Sequence, residues 1–154
     1  PYVTALAKEV PDLPIILNHV GIPIYIGRFK DKFKETYEHW LSMMRDLSRC
    51  PNVYVKISGI FLHFSGLSFE NKPAPPTSQE AAAAMHDHYM STIDLFGPER
   101  CMFASNFPRD RLSISYGVLW NAHKILSNRF SESEKDALFH GTASRVYKLK
   151  NAAR

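Results

Sequence analysis

Apolar residues recur at helical spacing through Val3, Leu6, Ala7 and Val10, and Pro11-Asp12 with Pro14 then break the pattern. The run Ile15-Ile16-Leu17 that follows is continuous and not alternating. A strand covered on both faces needs such a run, so the pattern predicts a central parallel strand, stopped by Asn18-His19-Val20-Gly21. Residues 21–34 read as a loop, with Gly21, Pro23, Gly27 and three lysines. Over 35–49, Tyr37, Trp40, Leu41, Met44 and Leu47 share one helical face. Pro51-Asn52 punctuates the chain, and Val53 to Ile57 form a second strand that ends in Ser58-Gly59.

A long irregular segment, 60–78, is crowded with aromatic side chains and prolines; loops of this length in compact domains are usually functional or mobile. Thr77 or Ser78 can cap a helix over 79–95, with Met85, Tyr89, Ile93 and Leu95 as its apolar contacts. A third strand is expected over 101–105 and a helix over 115–127. Ser131 opens a capping box with Glu134, and two short helices follow through FHGTASRVYKL. The order α-β-α-β-α-β-α-α is repeated right-handed βαβ winding. It fits either a doubly wound sheet or part of a (β/α)₈ barrel, and in both ligands bind at the carboxyl ends of the strands. Those ends carry Asn18-His19, Ser58-Gly59 and Ser105-Asn106.

Composition narrows the partners. With 154 residues, 45% hydrophobic and 22% charged, one unit over 1–154 has enough apolar material for a core. The formal charge of +4 is scattered among acids, which speaks against nucleic acid. No apolar stretch approaches the roughly 20 residues of a membrane span, and the N-terminus does not resemble a signal peptide, so the expectation is a cytoplasmic protein with no membrane partner. Cys50 and Cys101, at the approaches to strands, read as small buried residues. The chain opens at Pro1-Tyr2 without methionine and directly into a helix, as a piece starting mid-domain would.

His19 is the first candidate for chemistry. An imidazole just past a strand can ligate a metal, accept a proton or bond a substrate oxygen, and the bland alternative is a ring that holds its loop. Lys56 interrupts an apolar strand, either as a cation for a substrate carboxylate or as a side chain snorkelling to the sheet end. Asn106 donates and accepts hydrogen bonds but is no general base. Asp110, between Arg109 and Arg111, reads first as a surface salt bridge in a loop, with displaced catalytic equipment as the alternative. His86 and His88 fall within a helix, where i, i+2 spacing splays them about 200° apart and disfavours a metal pair. His39 and His123 lie on helices, His63 in the long loop where a substrate could meet it, and His140 at a helical junction. The nucleophile elbow, the phosphate loop and the dinucleotide fingerprint are all absent from the sequence.

Together PIILNHVGIP, PNVYVKISGI, FGPERCMFASNFP and ALFHGTASRVYKL resemble, in order and spacing, the C-terminal half of the amidohydrolase-related family of metal-dependent hydrolases, nearest the branch of pyrone-dicarboxylate and sugar-lactone hydrolases. The resemblance implies the C-terminal portion of a (β/α)₈ TIM barrel that hydrolyses a lactone or related C–O or C–N bond by water activation. The alternatives are a non-catalytic binding relative and a decarboxylase relative. It implies His19 and Asn106 as catalytic residues, His19 also as metal ligand, and Asn18, Lys56, Ser58, Arg109 and Asp110 as substrate-binding residues. Asn106 stands where such relatives carry an aspartate, which removes a base and weakens a metal site. The cofactor expected is one divalent ion, zinc before others, or none. The partners expected are a small molecule such as a carboxylated lactone, and a second copy or the missing barrel half to cover open sheet edges.

Overall fold

The structure, a computed structural model, describes residues 1–67 and 69–149. Three parallel strands, β1 (Ile15–Leu17), β2 (Val53–Ile57) and β3 (Cys101–Phe103), form one sheet in the order β1-β2-β3. The register pairs Leu17 with Val55 and Ile57 with Phe103. Crossovers run through α2 (Phe33–Ser48) and α3 (Ser78–Phe96); α1 (Tyr2–Glu9) precedes the sheet and α4 (Tyr116–Ser127) follows it. The chain then continues through α5 (Glu132–Asp136), a π-helical turn at Ala137–Gly141 and α6 (Thr142–Val146).

β2, not β1, is the central strand. A continuous apolar run reports cover on two faces, which does not distinguish centre from edge; among the described residues β1 pairs with β2 alone, and all three of its residues are half-buried. β3 ends at Phe103, two residues earlier than the pattern suggests, although the Ala104 N–H still donates to Ile57 O at 3.2 Å. Beyond it the backbone turns into the loop at Asn106, whose φ of 53° is left-handed. α2 begins at Phe33, two residues early.

Alternation along β2 orients the sheet. Val53, Val55 and Ile57 are fully buried against the helices, while Tyr54 and Lys56 point to the other face and keep partial exposure. The helical stripes read from the sequence supply that cover: Trp40, Met44 and Leu47 from α2, and Met85, Tyr89 and Ile93 from α3, are all buried. Thr77 caps α3 in a full capping box, its hydroxyl accepting from Glu80 N–H and its own N–H donating to Glu80 Oε2 at 2.8 Å. Ser131 and Glu134 repeat the motif at α5.

Polar side chains staple the base of the sheet. Arg100 donates to Phe96 O, Cys50 O and Ser48 O, each at 2.9 Å, tying the ends of α2 and α3 to the start of β3. Asn52 Nδ2 reaches Ala7 O, Val10 O and Leu13 O, which fixes the turn from α1 into β1. Cys50 and Cys101 are free and buried, as small apolar residues.

The helical histidines separate. His86 and His39 are exposed, whereas His88 is buried, shares a hydrogen bond of 2.7 Å with the Tyr25 hydroxyl and lies among Phe33, Tyr37 and Trp40. His123 stacks on Phe103 at 4.5 Å with neither nitrogen bonded. Burial drives His88 down to about 4 and His123 down to about 3. Both are therefore neutral in the fold and take up a proton first in the unfolded chain, so stability is complete above about pH 6.5 and falls towards pH 4. Asp110, held up to about 6, works in the opposite sense and cancels part of the effect. The net slope expected between pH 6 and pH 4 is on the order of 1 kcal/mol per pH unit, measured by denaturant unfolding. His88→Gln, which keeps a partner for Tyr25 without titrating, should flatten it.

Candidate active site at the strand ends

His19 follows β1 in a single turn, His19–Gly21, that runs through left-handed backbone: φ is 56° at His19, 47° at Val20, 77° at Gly21 and 52° at Ile22. For β-branched Val20 and Ile22 this costs on the order of 1–3 kcal/mol each. The turn is held from behind. Trp40 Nε1 donates to Val20 O at 2.8 Å, and the Val20 side chain is fully buried.

That turn lays the His19 ring against β2. Nδ1 and Ser58 Oγ share a hydrogen bond of 2.9 Å, and Ser58 is buried. Gly59, at φ 75°, makes room: a Cβ there would stand 2.6 Å from the imidazole. Ser58-Gly59 is thus the seat of the ring, with the hydroxyl fixing its rotation and the absent Cβ fixing its depth. Burial, and secondarily the Lys56 ammonium, hold His19 below the ordinary histidine value. When Nδ1–H donates to Ser58, Nε2 keeps its lone pair and has no protein partner among the described residues, which suits a proton acceptor or a metal ligand. Lys56 itself lies with Nζ 5.2 Å from the Tyr147 ring centre, and Asn18 is exposed.

Asn106 belongs to a second cluster. Its Nδ2 donates to Asp110 Oδ1 at 2.8 Å, while its carbonyl accepts from Arg109 N–H and Asp110 N–H. Asp110 is no surface ion pair: it is 1% exposed, makes no salt bridge among the described residues, and leaves Oδ2 unbonded. The 3-10 turn Arg109–Leu112 folds the carboxylate inward and the two arginines outward. Burial raises its pKa to about 6, partly countered by Asn106. Buried Tyr89 lies within its field, and burial with that charge pushes the phenol up.

His19–Ser58 and Asn106–Asp110 are therefore separate pairs on the rim of one sheet, on strands two places apart and so about 10 Å distant by strand spacing. A cavity of about 650 Å³ opens beside the second, between the loops that follow β2 and β3. Phe61, Phe64 and Leu112 give it apolar walls and Arg109 and Arg111 give it charge, but neither His19 nor Asn106 lines it. Glu70, which the sequence reading passed over, shapes its polar side by joining His63 at 3.2 Å and Ser113 at 3.3 Å. The only available signal was that Glu70 is the one acid in an apolar loop. His140 is exposed and bonds Ser144 at 3.1 Å, away from both clusters.

The donor set decides how far a metal fits. Among the described residues no three His, Cys, Asp or Glu side chains gather as a metal site. His19 Nε2 is one ligand without companions, and Asn106 is a neutral amide committed to Asp110. These residues do not make a metal centre by themselves.

The amidohydrolase family model matches residues 1–149. The chain belongs to the amidohydrolase family. It is 38% identical to the uncharacterized protein y4mH of Sinorhizobium fredii, over 94% of this chain and 42% of that protein. It is 29% identical to an L-fucono-1,5-lactonase of Burkholderia multivorans, over 90% of this chain and 44% of that enzyme. An amidohydrolase of Burkholderia multivorans crystallised with bound zinc superposes with a TM-score of 0.80 at 26% identity, over 96% of this chain and 48% of its own. The amidohydrolase chain thus spans about half the length of these relatives, and its three strands match part of a TIM barrel. No described helix is long and apolar enough to cross a membrane.

The seat of His19 is open to a direct check. Gly59→Ala pays about 1–2 kcal/mol for left-handed backbone and must also displace the imidazole. Gly27→Ala pays the backbone cost alone, since nothing lies within 4 Å of its Cβ. Thermal unfolding should rank Gly59→Ala below Gly27→Ala, and the His19 ring signals in NMR should move only in the former.

Proposed function

We propose that this amidohydrolase chain supplies part of the active site of a lactone hydrolase, with His19 as its proton-transfer residue. The observation that carries the reading is the His19 ring, seated by Ser58 and Gly59 at a strand end and kept neutral near pH 7. The likeness to an L-fucono-1,5-lactonase supports a sugar lactone as substrate. As water adds to the lactone carbonyl carbon, His19 Nε2 takes the proton; collapse of the tetrahedral adduct breaks the ring C–O bond, and the proton passes to the departing alkoxide. Asn106 holds water or substrate through its amide. Lys56 and Arg109 offer cations to the carboxylate that ring opening creates, with Asn18 as a further rim contact and Ser58 acting through the His19 ring it holds.

His19 Nε2 is the one ligand these residues could offer a divalent ion such as the zinc of the related crystal structure; a ring so bound would hold the ion in place of taking the proton, and the ion would supply polarisation of the carbonyl. Its remaining ligands would come from outside this chain. The same holds for the pocket: β1 and β3 each pair only with β2 among the described residues, so a complementary barrel half is the partner their free edges fit.

Asn106 favours a second reading, in which the polypeptide binds a lactone without turning it over. Hydrolysis of L-fucono-1,5-lactone by the polypeptide as its gene encodes it separates the two. The enzyme reading expects turnover that His19→Ala lowers by about a hundredfold or more. Binding without turnover would establish the second reading, and turnover unaffected by His19→Ala would remove the histidine from the mechanism.

A further inference from the structure

Asn106 carries no charge, yet the side chain bonded to it carries one that nothing else among the described residues neutralises. Asp110 is buried and meets no cation, and one of its oxygens meets only Asn106 Nδ2. An ionised carboxylate is acceptor-only, so it admits the amide in one orientation, nitrogen inward. The amide is planar. Its Oδ1 must then face away from Asp110, and it makes no hydrogen bond among the described residues. The backbone locks the same arrangement, because Asn106 O accepts from both Arg109 N–H and Asp110 N–H while Asp110 O accepts from Ser113 N–H and Ile114 N–H.

We propose that Asp110 is a positioning residue: its carboxylate fixes the Asn106 amide so that Oδ1 is presented as the acceptor for a water or a substrate hydroxyl. The inference rests on the reading of Asn106 as a site group, and its test is made without substrate, so that it stands or falls apart from hydrolysis. Amide and carboxylate form one unit whose members are exchangeable only together. A carboxylate placed at 106 alone would face Asp110 at hydrogen-bond distance, and two like charges there oppose folding.

Five forms of the polypeptide as its gene encodes it test this: wild type, Asn106→Asp, Asp110→Asn, Asp110→Ala, and the exchange Asn106→Asp with Asp110→Asn. At pH 8 the Asn106→Asp pair must either hold two charges together or take up a shared proton, so Asn106→Asp should lower the unfolding midpoint by about 5 °C or more, and the exchange should recover most of the loss. Failure of Asn106→Asp to fold, with folding restored in the exchange, supports the proposal equally. In wild type the Asn106 side-chain amide protons should be protected from exchange with water, and Asp110→Ala should release them. Asn106→Asp as stable as wild type, an exchange as unstable as the two single changes summed, or amide protons indifferent to Asp110→Ala would each overturn it.

Discussion

The approach of the His19 ring to the backbone of Gly59 is the contact on which the strand-end site depends. It requires three things at once: a left-handed turn after β1, and, just past the end of β2, a hydroxyl to stop the ring rotating followed by a residue without Cβ. Because β1 and β2 are neighbours in register, these requirements meet at one point although they are forty residues apart in the chain. The strain in Val20 and Ile22 is tolerable because Trp40, on the helix that joins the two strands, bonds the backbone of the turn from the buried side. One crossover unit therefore contains the ring, its seat and its brace.

The chain treats its buried ionisable groups in two ways. His88 and His123 are neutral and packed among aromatic rings, where desolvation removes the proton and the ring serves as an aromatic filler with a polar edge. Asp110 is also buried, but the Asn106 amide donates to its charged form and offsets part of the burial cost. In the first case the polar atoms are subordinate to packing. In the second, packing leaves one oxygen without a partner, and that asymmetry marks the loop after β3 as more than a connection.

Much of this was legible from residue order. The helical stripes and the run Val53 to Ile57 report burial, which periodicity encodes directly, and the capping box at Ser131 depends on four consecutive residues; at α3 the sequence offered Thr77 or Ser78 as the cap, and the structure adds the box with Glu80. The candidate status of His19 rests on a strand end, also a local feature. What escaped depends on long-range geometry. No local pattern states that β1 lies at an edge, since strand order is a property of pairing. Nor could charge flanked by charge show that Asp110 turns inward: Arg109 and Arg111 suggest ion pairs in one dimension, and only the 3-10 turn separates them in three. Ser58 and Gly59 were visible as a polar strand end, but their purpose appeared only with the imidazole lying on them.

The two pairs differ in what they can do alone. The depth and neutrality of the His19 ring are set within the first βαβ unit, and its Nε2 is left free for the proposed proton transfer when Nδ1–H donates to Ser58. Asn106 is an acceptor held at the correct angle but incapable of taking a proton, so it can orient a nucleophile and not activate one. At about 10 Å they are too far apart to share a bond but span a distance that a small substrate and one water can fill. Tyr54 and Lys56 show which face such a substrate would meet, since their side chains leave β2 opposite the helices. A lactone hydrolase of the proposed kind would divide its work accordingly, with proton transfer at β1, orientation at β3, and the walls supplied across the face that Tyr54 and Lys56 share.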